Sequence, residues 1–235
     1  MRPVLTAPFF EIGPKNLLRR RELEDLARAA GRAGAQYGVS VVLTVPNAMV
    51  APIADLETGV HVFAQSMDAD RLGSSVGRVT AEALLDAGAG GVMLNHDSNP
   101  LDEQRLTATV HRAREIGLDT IVCADTDSAA LHYTALAPTA VLIEPPDLIG
   151  TTGSGERDWV RPITEAMRQI DPRVLAMHAG GVSSPLIARA IMTAGADGTG
   201  STSGVLTAAD PLVAARHFIA GTRAGWDDAR TTADN

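Results

Sequence analysis

The sequence is poor in cysteine and in aromatic residues, and no apolar run in it reaches the length of a membrane helix. The single cysteine, Cys123, excludes an intramolecular disulfide and is compatible with a reducing compartment. Aromatic residues make up only 3% of the 235 residues, so we expect a core built from Ala, Val, Leu and Ile. The first residues, Met1–Pro3, do not begin a signal peptide. We therefore expect a cytoplasmic protein.

Basic residues are also in deficit. The chain has 20 Lys and Arg against 28 Asp and Glu, which gives a net charge of −8. A surface of this sign repels nucleic acid and anionic lipid, so we expect neither a nucleic acid nor a membrane as a partner. A small anionic substrate is still compatible with this charge, because Lys, Arg and backbone N–H groups can make one site locally positive.

Short β-type runs alternate with amphipathic helical patterns along the whole chain, which predicts βα units with parallel strands. The eight runs are Leu5–Ile12, Val39–Thr44, Gly59–Ala64, Gly90–Leu94, Asp119–Cys123, Ala140–Ile143, Arg173–Met177 and Gly195–Ser201. The clearer helical patterns are Arg21–Ala33, Thr80–Ala87, Asp102–Ile116, Arg157–Ile170, Pro185–Ala194 and Ala209–Ala220, and Gly34 is a plausible stop for the first.

Eight such units without a break in composition favour an α/β protein folded as one closed (β/α)₈ TIM barrel. An open doubly wound sheet is the alternative, but its G-x-G-x-x-G signature is missing after the first run, where Gly13-Pro14-Lys15 stands instead. We predict that residues 1–226 form a single barrel domain. The polar residues Asp227–Asn235 are predicted to be a loose tail.

One stretch, Val141–Gly153, shows how such a barrel would present a base. An apolar run ends at Glu144, and Pro145 and Pro146 then stop the strand, because proline cannot donate to a sheet ladder. A glycine-bearing loop follows. This arrangement predicts a carboxylate at a strand tip beside a lid, although a merely solvated acid is equally compatible with the local pattern.

The carboxyl ends of barrel strands meet at one face, so only residues there are candidates for chemistry. Lys15 follows the first run, Asn95 and His96 follow the fourth, Glu144 follows the sixth and His178 follows the seventh. Proton abstraction next to a carbonyl needs a base and an electrophile, which Glu144 and His96 can supply beside the positive charge of Lys15. For His178 we favour packing or a supporting role.

Two glycine-bearing turns fall where barrel enzymes often bind phosphate, after the seventh and eighth strands. Gly180-Gly181 opens the first turn and Ser203-Gly204 opens the second. Backbone N–H groups in such loops, with the N-terminus of a following helix, bind phosphate. Ordinary tight turns also need glycine, so the presence of two such turns at adjacent strand ends is the point in favour of a phosphate site.

From about Val60 to Asp210 the chain resembles the triosephosphate isomerase family in its compact archaeal form. Glu144–Thr151 is close to that family's E-P-P-E-L-I-G-T run and is the most specific match. Further similar segments are Val62–Gln65, Gly91–His96 with the family's catalytic histidine, Ile121–Cys123, Gly195–Gly198 and Ser203–Val205.

The resemblance implies a homo-oligomeric aldose–ketose isomerase of a small phosphorylated sugar, a dimer or tetramer that needs neither metal nor cofactor. Glu144 would be the base, His96 the electrophile and Lys15 the electrostatic clamp, which are roles borrowed from the known Glu and neutral His pairing of triosephosphate isomerase. N–H groups for the phosphate would come from Gly150, Gly180, Gly181, Ser203 and Gly204. The expected reaction interconverts glyceraldehyde 3-phosphate and dihydroxyacetone phosphate.

The chain departs from the family close to the chemistry. Gly13 stands where the family has Asn, Asp97-Ser98 follows the histidine in place of Ser-Glu, and the loop after Gly150 is short and rich in glycine. These changes keep other functions open. One is an isomerase or epimerase of another small sugar phosphate, such as a tetrulose phosphate. The others are an aldolase or lyase, which would use Lys15 or a metal on His96, Glu144 and His178, and a non-catalytic binder of phosphorylated ligands.

Overall fold

Residues 4–145 and 157–233 are described by the computed structural model, with side chains given up to residue 231. They form eight parallel strands, which close into one barrel in the order β1 to β8, with β1 paired to β8. The strands are β1 Phe9–Ile12, β2 Ser40–Val45, β3 His61–Ala64, β4 Gly91–Leu94, β5 Asp119–Ala124, β6 Ala140–Ile143, β7 Leu175–His178 and β8 Gly198–Gly200. The predicted (β/α)₈ barrel is confirmed.

Helices follow the strands and form the outer layer of the described chain. They are α1 Arg20–Tyr37, α2 Val50–Ala54 after a short 3₁₀ turn at Asn47–Met49, α3 Ala81–Asp86, α4 Glu103–Ile116, α5 Asp127–Thr134, α6 Val160–Ile170, α7 Pro185–Thr193, α8 Ser203–Leu206 and α9 Pro211–Ala233. No helix among the described residues is long and apolar enough to pass through a bilayer.

Side-chain caps explain where several helices begin. The side chains of Thr80, Asp102, Thr126 and Ser184 each accept the backbone N–H three residues later, which satisfies one of the amides that a helix start leaves unpaired. These caps place the beginnings of α3, α4, α5 and α7 immediately after the loops at the barrel mouth. The loops that carry His96 and Gly180-Gly181 are therefore anchored at both ends, by a strand and by a capped helix.

The end of α1 differs from the prediction. We expected Gly34 to stop this helix, but α1 continues to Tyr37 and ends at Gly38, whose φ of 63° is the left-handed conformation that favours glycine. Gly34 is instead a packing residue, since a β-carbon there would lie 2.9 Å from Val39 O and from Val41 Cγ2. The close approach of α1 to β2, rather than a helix stop, requires this glycine.

The core is mostly aliphatic, as expected, and its few phenylalanines are among the largest fully buried side chains. Phe9 and Phe63 are fully buried, and each packs against a glycine of a neighbouring strand, Gly198 and Gly91 respectively. A β-carbon at either glycine would overlap the aromatic ring. Large side chains from alternate strands thus fill the barrel against small ones, and the barrel is a packed core rather than a channel.

We predicted a loose tail, but the chain is helical through residue 233. α9 continues well past the predicted end at Ala220. Two ion pairs support the extension: Arg223 pairs with Asp227 one turn later, and Arg189 of α7 pairs with Asp228. Gly221 and Gly225 lie one turn apart on α9 and face the backbone of α7 at Pro185 and Arg189. α9 therefore packs closely on α7 and also contacts α1.

Candidate active site

A cavity of about 540 Å³ opens at the carboxyl ends of the strands. It brings together most of the predicted site residues, which are far apart in sequence. Lys15, His96, Glu144, Gly180, Gly181 and Ser203 all line it. Gly204 is not among the lining residues, and Gly150 lies outside the described part of the chain.

Glu144 stands immediately after β6, where its backbone N–H still donates to Ala124 O of the neighbouring strand at 3.0 Å. This bond fixes the residue at the strand tip. Burial raises the pKa of the Glu144 carboxyl, and the charge of Asp97 raises it further. Lys15 and the N–H of Gly180, which hydrogen-bonds the carboxylate, act in the opposite direction. Burial has the largest effect, so the group is a stronger base than an exposed glutamate.

His96 follows β4 in a tight turn that sets its tautomer. The backbone N–H of Ser98 donates to Nδ1 at 3.1 Å, and Ser98 Oγ lies 2.9 Å from the same atom. A nitrogen that accepts a backbone N–H carries no proton, so the neutral ring bears its hydrogen on Nε2. Burial and the charge of Lys15 lower the pKa of His96, against the effect of Asp97. The imidazole is thus held neutral with one N–H to donate.

Lys15 lies on the loop after β1 in a strained backbone conformation, with a φ of 50°. Neighbouring side chains hold the loop in this shape. Gln65 Nε2 donates to the backbone carbonyl of Lys15 at 2.8 Å, and Thr202 Oγ1 donates to Gly13 O at 2.7 Å. Asn47 in turn accepts the backbone N–H of Gln65. Loops after β2, β3 and β8 therefore all contribute to the position of Lys15.

The loop after β7 is turned by two glycines in the left-handed region, Gly180 with φ 86° and Gly181 with φ 61°. Their carbonyl oxygens accept bonds from Arg157, at 2.9 Å from Nη1 and 3.4 Å from Nη2. In a trans peptide the N–H points away from the C=O. The N–H groups of Gly181 and Val182 therefore point away from Arg157, and both residues line the cavity.

Ser203 and Gly204 form the first turn of α8, where backbone N–H groups have no partner within the helix. The two residues differ in their surroundings. Ser203 lines the cavity, whereas a β-carbon on Gly204 would meet Val182 O at 2.6 Å and the Phe218 ring at 2.8 Å. Packing beneath the turn thus requires the glycine at 204.

Comparison with known proteins assigns the chain to a family. The family model described as "Triosephosphate isomerase" matches residues 15–218.

The chain belongs to the triosephosphate isomerase family.

Curated archaeal relatives agree with this assignment. The triosephosphate isomerase of Sulfolobus acidocaldarius is 30% identical over 197 residues, which covers 83% of this chain and 85% of that protein. That of Methanopyrus kandleri is 33% identical over 200 residues, covering 83% and 88%. In a crystal structure, triosephosphate isomerase from Bartonella henselae shares the fold with a TM-score of 0.69 at 18% identity, over 90% of this chain and 99% of that one. The predicted family is confirmed.

Two further strand-end candidates, His178 and Asn95, make structural contacts beside the cavity. His178 is fully buried outside the cavity lining, with Nε2 2.8 Å from Thr164 Oγ1 and its ring 5.1 Å from that of Trp159. Burial and the charge of Arg157 lower the pKa of His178 to about 3, so its ring is neutral. Asn95 has a φ of 59° and donates to Cys123 O at 3.0 Å, which ties the loop after β4 to β5.

A metal bound by His96, Glu144 and His178 was one alternative raised by the sequence. Within the described residues no three His, Cys, Asp or Glu side chains are grouped as ligands for an ion. His178 directs Nε2 to Thr164 rather than toward the cavity residues.

Two buried charged residues of the site were not predicted. Arg157 was expected only as the start of a helical pattern, yet the residue is 8% exposed and its guanidinium supports the loop after β7. Glu11 was expected only as part of the first strand, yet the residue is 5% exposed and lines the cavity. A carboxylate one residue before the end of an otherwise apolar strand was the signal that could have found Glu11.

Proposed function

We propose that this chain interconverts glyceraldehyde 3-phosphate and dihydroxyacetone phosphate, with Glu144 as the base, His96 as the electrophile and Lys15 as the positive charge beside the substrate. The observation that carries the proposal is that these three side chains, each from a different strand end, line one cavity. Membership of the triosephosphate isomerase family supports the reaction. The residue roles are borrowed from the known pairing in that family.

The surroundings of each group suit the step we assign to it. Glu144, whose pKa is raised by burial, takes a proton from the carbon next to the carbonyl and returns it to the neighbouring carbon. The N–H at Nε2 of neutral His96 stabilises the negative charge that develops on the oxygens of the enediolate. It gives its proton to the former carbonyl oxygen and takes one from the neighbouring hydroxyl oxygen, which becomes the new carbonyl. The ammonium group of Lys15 adds electrostatic stabilisation of the same charge.

For the phosphate we propose the N–H groups of the loops after β7 and β8. Gly181 and Ser203 belong to the cavity wall, and the buried cation of Arg157 lies behind the first loop. Gly180 also lines the cavity, but its N–H donates to the Glu144 carboxylate, so it is the weaker candidate for the phosphate. We retain Gly204 as a donor of its backbone N–H only, since its α-carbon is enclosed by packing. Gly150 stays a prediction from the resemblance, because it falls outside the described residues.

The direct test is an assay of purified protein with each triose phosphate in turn. We expect equilibration of the two substrates, and we expect chelation of metal ions to leave the rate unchanged. Absence of any measurable interconversion would remove the proposal. Trapping of a substrate adduct by borohydride would instead favour a Schiff base on Lys15.

A second candidate reaction uses the same machinery on another small sugar phosphate, such as a tetrulose phosphate. The observation that favours it is the altered floor of the cavity, where Gly13 stands in place of the family's Asn and the Glu11 carboxyl lies beside it. A panel of three- to five-carbon ketose phosphates decides between the two reactions. A higher kcat/KM for a four-carbon substrate than for triose phosphate would establish the second.

We also propose that the protein acts in the cytoplasm as a homodimer or homotetramer. The loop between β3 and α3 supports self-association, because it exposes two apolar side chains, Leu72 at 71% and Val76 at 96%. Apolar side chains that are exposed together mark interaction surfaces.

A further inference from the structure

Glu11 lies in the barrel interior at the floor of the cavity, and none of the roles proposed above uses it. Side chains two residues apart on a strand point the same way, so Glu11 shares the direction of Phe9, whose ring packs over Gly198 inside the barrel. Glu11 is one layer nearer the mouth. Its carboxyl lines the cavity although the residue is only 5% exposed.

The surrounding backbone leaves room for this carboxyl group through two glycines. A β-carbon on Gly13 would lie 2.9 Å from Glu11 Oε1, and one on Gly200 would lie 3.0 Å from Oε2. Each oxygen therefore occupies space that a side chain at one of these positions would need. Gly13 is also the position at which the family has Asn, so an acidic group from the strand replaces a side chain from the loop.

The carboxyl group is incompletely bonded. Considering only residues 4–145 and 157–233, Glu11 Oε1 is buried without a hydrogen-bond partner, and so is Thr44 Oγ1 on the adjacent strand β2, which also lines the cavity. Most buried polar atoms in native proteins have a partner, and the exceptions call for an explanation. The Thr44 hydroxyl is close enough to act on Glu11 as a hydrogen-bond donor, yet Oε1 and Oγ1 complete no hydrogen bond of normal geometry with each other. A ligand hydroxyl that contacts both atoms from the cavity would supply the missing bonds.

The protonation of Glu11 suits a hydroxyl-bearing ligand. The ionisable groups that face it are Lys15, Glu144 and the buried thiol of Cys123. Burial raises the pKa of Glu11 to about 7, against the hydrogen-bonding effect of the Thr44 hydroxyl, which lowers it; the charge of Glu144 raises this pKa and that of Lys15 lowers it. Near neutral pH the neutral carboxyl group is therefore available as a donor, and the Thr44 hydroxyl can donate or accept. A hydroxyl group can pair with both.

We propose that Glu11 and Thr44 form a binding site for a hydroxyl group of the substrate, which makes the cavity selective for hydroxylated phosphate esters over phosphate esters without hydroxyls. This inference rests on the proposed function and deepens it, because it names the residues that bind a hydroxyl group of the sugar, whereas the loops after β7 and β8 bind its phosphate. Glu11 is then a specificity-determining residue, distinct from the base Glu144.

The test compares two ligands of equal carbon number, glycerol 3-phosphate and propyl phosphate, by calorimetry on the full chain. In Glu11→Leu we expect the preference for glycerol 3-phosphate to fall about 10- to 100-fold, the effect of one hydrogen bond to a buried acidic group. The affinity for propyl phosphate should stay unchanged. Thr44→Val should reduce the same preference while keeping the shape of the side chain.

Further variants keep the result decisive. Glu165→Leu, at an exposed position of α6, makes the same chemical change away from the cavity and should leave the preference unaltered. Glu11→Gln keeps the size and a donor, so it should retain most of the preference but lose its change with pH near neutrality. If Glu11→Leu does not fold, Thr44→Val and Glu11→Gln decide.

An unchanged preference in Thr44→Val, together with an unchanged pH dependence in Glu11→Gln, would overturn the assignment. The measurement needs no turnover. A wild-type protein that binds glycerol 3-phosphate selectively but does not isomerise triose phosphates would therefore refute the proposed function and leave the Glu11 site standing.

Discussion

Two carboxyl groups in the cavity, Glu11 and Glu144, have pKa values raised chiefly by burial. The charge of Glu144 further raises the pKa of Glu11, and the charge of Asp97 further raises the pKa of Glu144. Their positions nevertheless differ. Glu144 stands at a strand tip beside the segment that follows β6, whereas Glu11 is enclosed within β1. The same physical cause thus yields a half-buried group suited to proton transfer and a buried group suited to holding a hydroxyl.

Shortening the proposed base should impair turnover without unfolding the protein. Glu144→Asp removes one methylene and withdraws the carboxylate from the substrate carbon. We expect kcat to fall about 100-fold, because a displacement of about 1 Å in a reacting group has an effect of this size. Steady-state kinetics measure the loss, and Glu165→Asp on the exposed face of α6 is the matched control. Wild-type kcat in Glu144→Asp would rule out Glu144 as the base.

Glu11 should make the stability of the fold depend on pH. Below pH 4.5 both folded and unfolded chains carry its proton. As the pH rises from 4.5 to about 7, the unfolded chain releases the proton and the folded chain keeps it, so the folded state loses stability. The full loss corresponds to about 3 kcal/mol.

The variant Glu11→Gln should not suffer this loss. We therefore expect the free energy of unfolding of the variant, relative to that of wild type, to increase as the pH rises through this interval. Urea denaturation at a series of pH values measures the difference. Parallel curves for the two proteins would show that burial does not raise the pKa of Glu11.

At the scale of elements, the order and type of strands and helices could be predicted because the apolar pattern repeats eight times along the chain. The boundaries were less predictable. The first run was expected from Leu5 and the last from Gly195, yet β1 begins at Phe9 and β8 at Gly198. Leu5 and Ala196 are buried just before these strands, and Asp197 bonds Arg168 and the N–H of Ala176, so the buried pattern begins before each strand does.

Site residues that follow the end of a strand could be predicted from the sequence. Site residues whose role depends on contacts with distant parts of the chain could not. Glu144 follows an apolar run directly, and Lys15 and His96 come within three residues of the end of one. Arg157 is 23 residues from the glycine whose carbonyl it binds, and no local pattern marks that contact. Glu11 interrupts an apolar strand, but only the closed barrel shows that its side chain points inward beside Gly13 and Gly200.

The loop after β7 should depend on Arg157 for its shape. Arg157→Met keeps most of the apolar stem but removes both bonds to the carbonyls of Gly180 and Gly181. We expect the Kd for inorganic phosphate to rise about tenfold, the effect of losing a charge-assisted hydrogen bond, and Arg157→Lys to restore part of the affinity. Arg161→Met, exposed on α6, is the control. Unaltered phosphate affinity in Arg157→Met would contradict this.

At the scale of the whole molecule, the exposed apolar loop after β3 bears on assembly. If the protein self-associates through this loop, replacement of Leu72 and Val76 by Asp should lower the molar mass in solution, because burying the new carboxylates at an interface is unfavourable. Light scattering after gel filtration measures the mass. Leu186→Asp, at a position that is 75% exposed on α7, is the control. A double variant with the wild-type mass would place the interface elsewhere.

The pairing of β1 with β8 has a consequence for biosynthesis. Of the eight strands, β1, which carries Glu11, is synthesised before the others, and its neighbour in the ring, β8, is synthesised after them. One edge of β1 therefore stays unpaired until β8 has been made. Lys15 and Ser203, which follow these two strands, accordingly come together only when the ring closes.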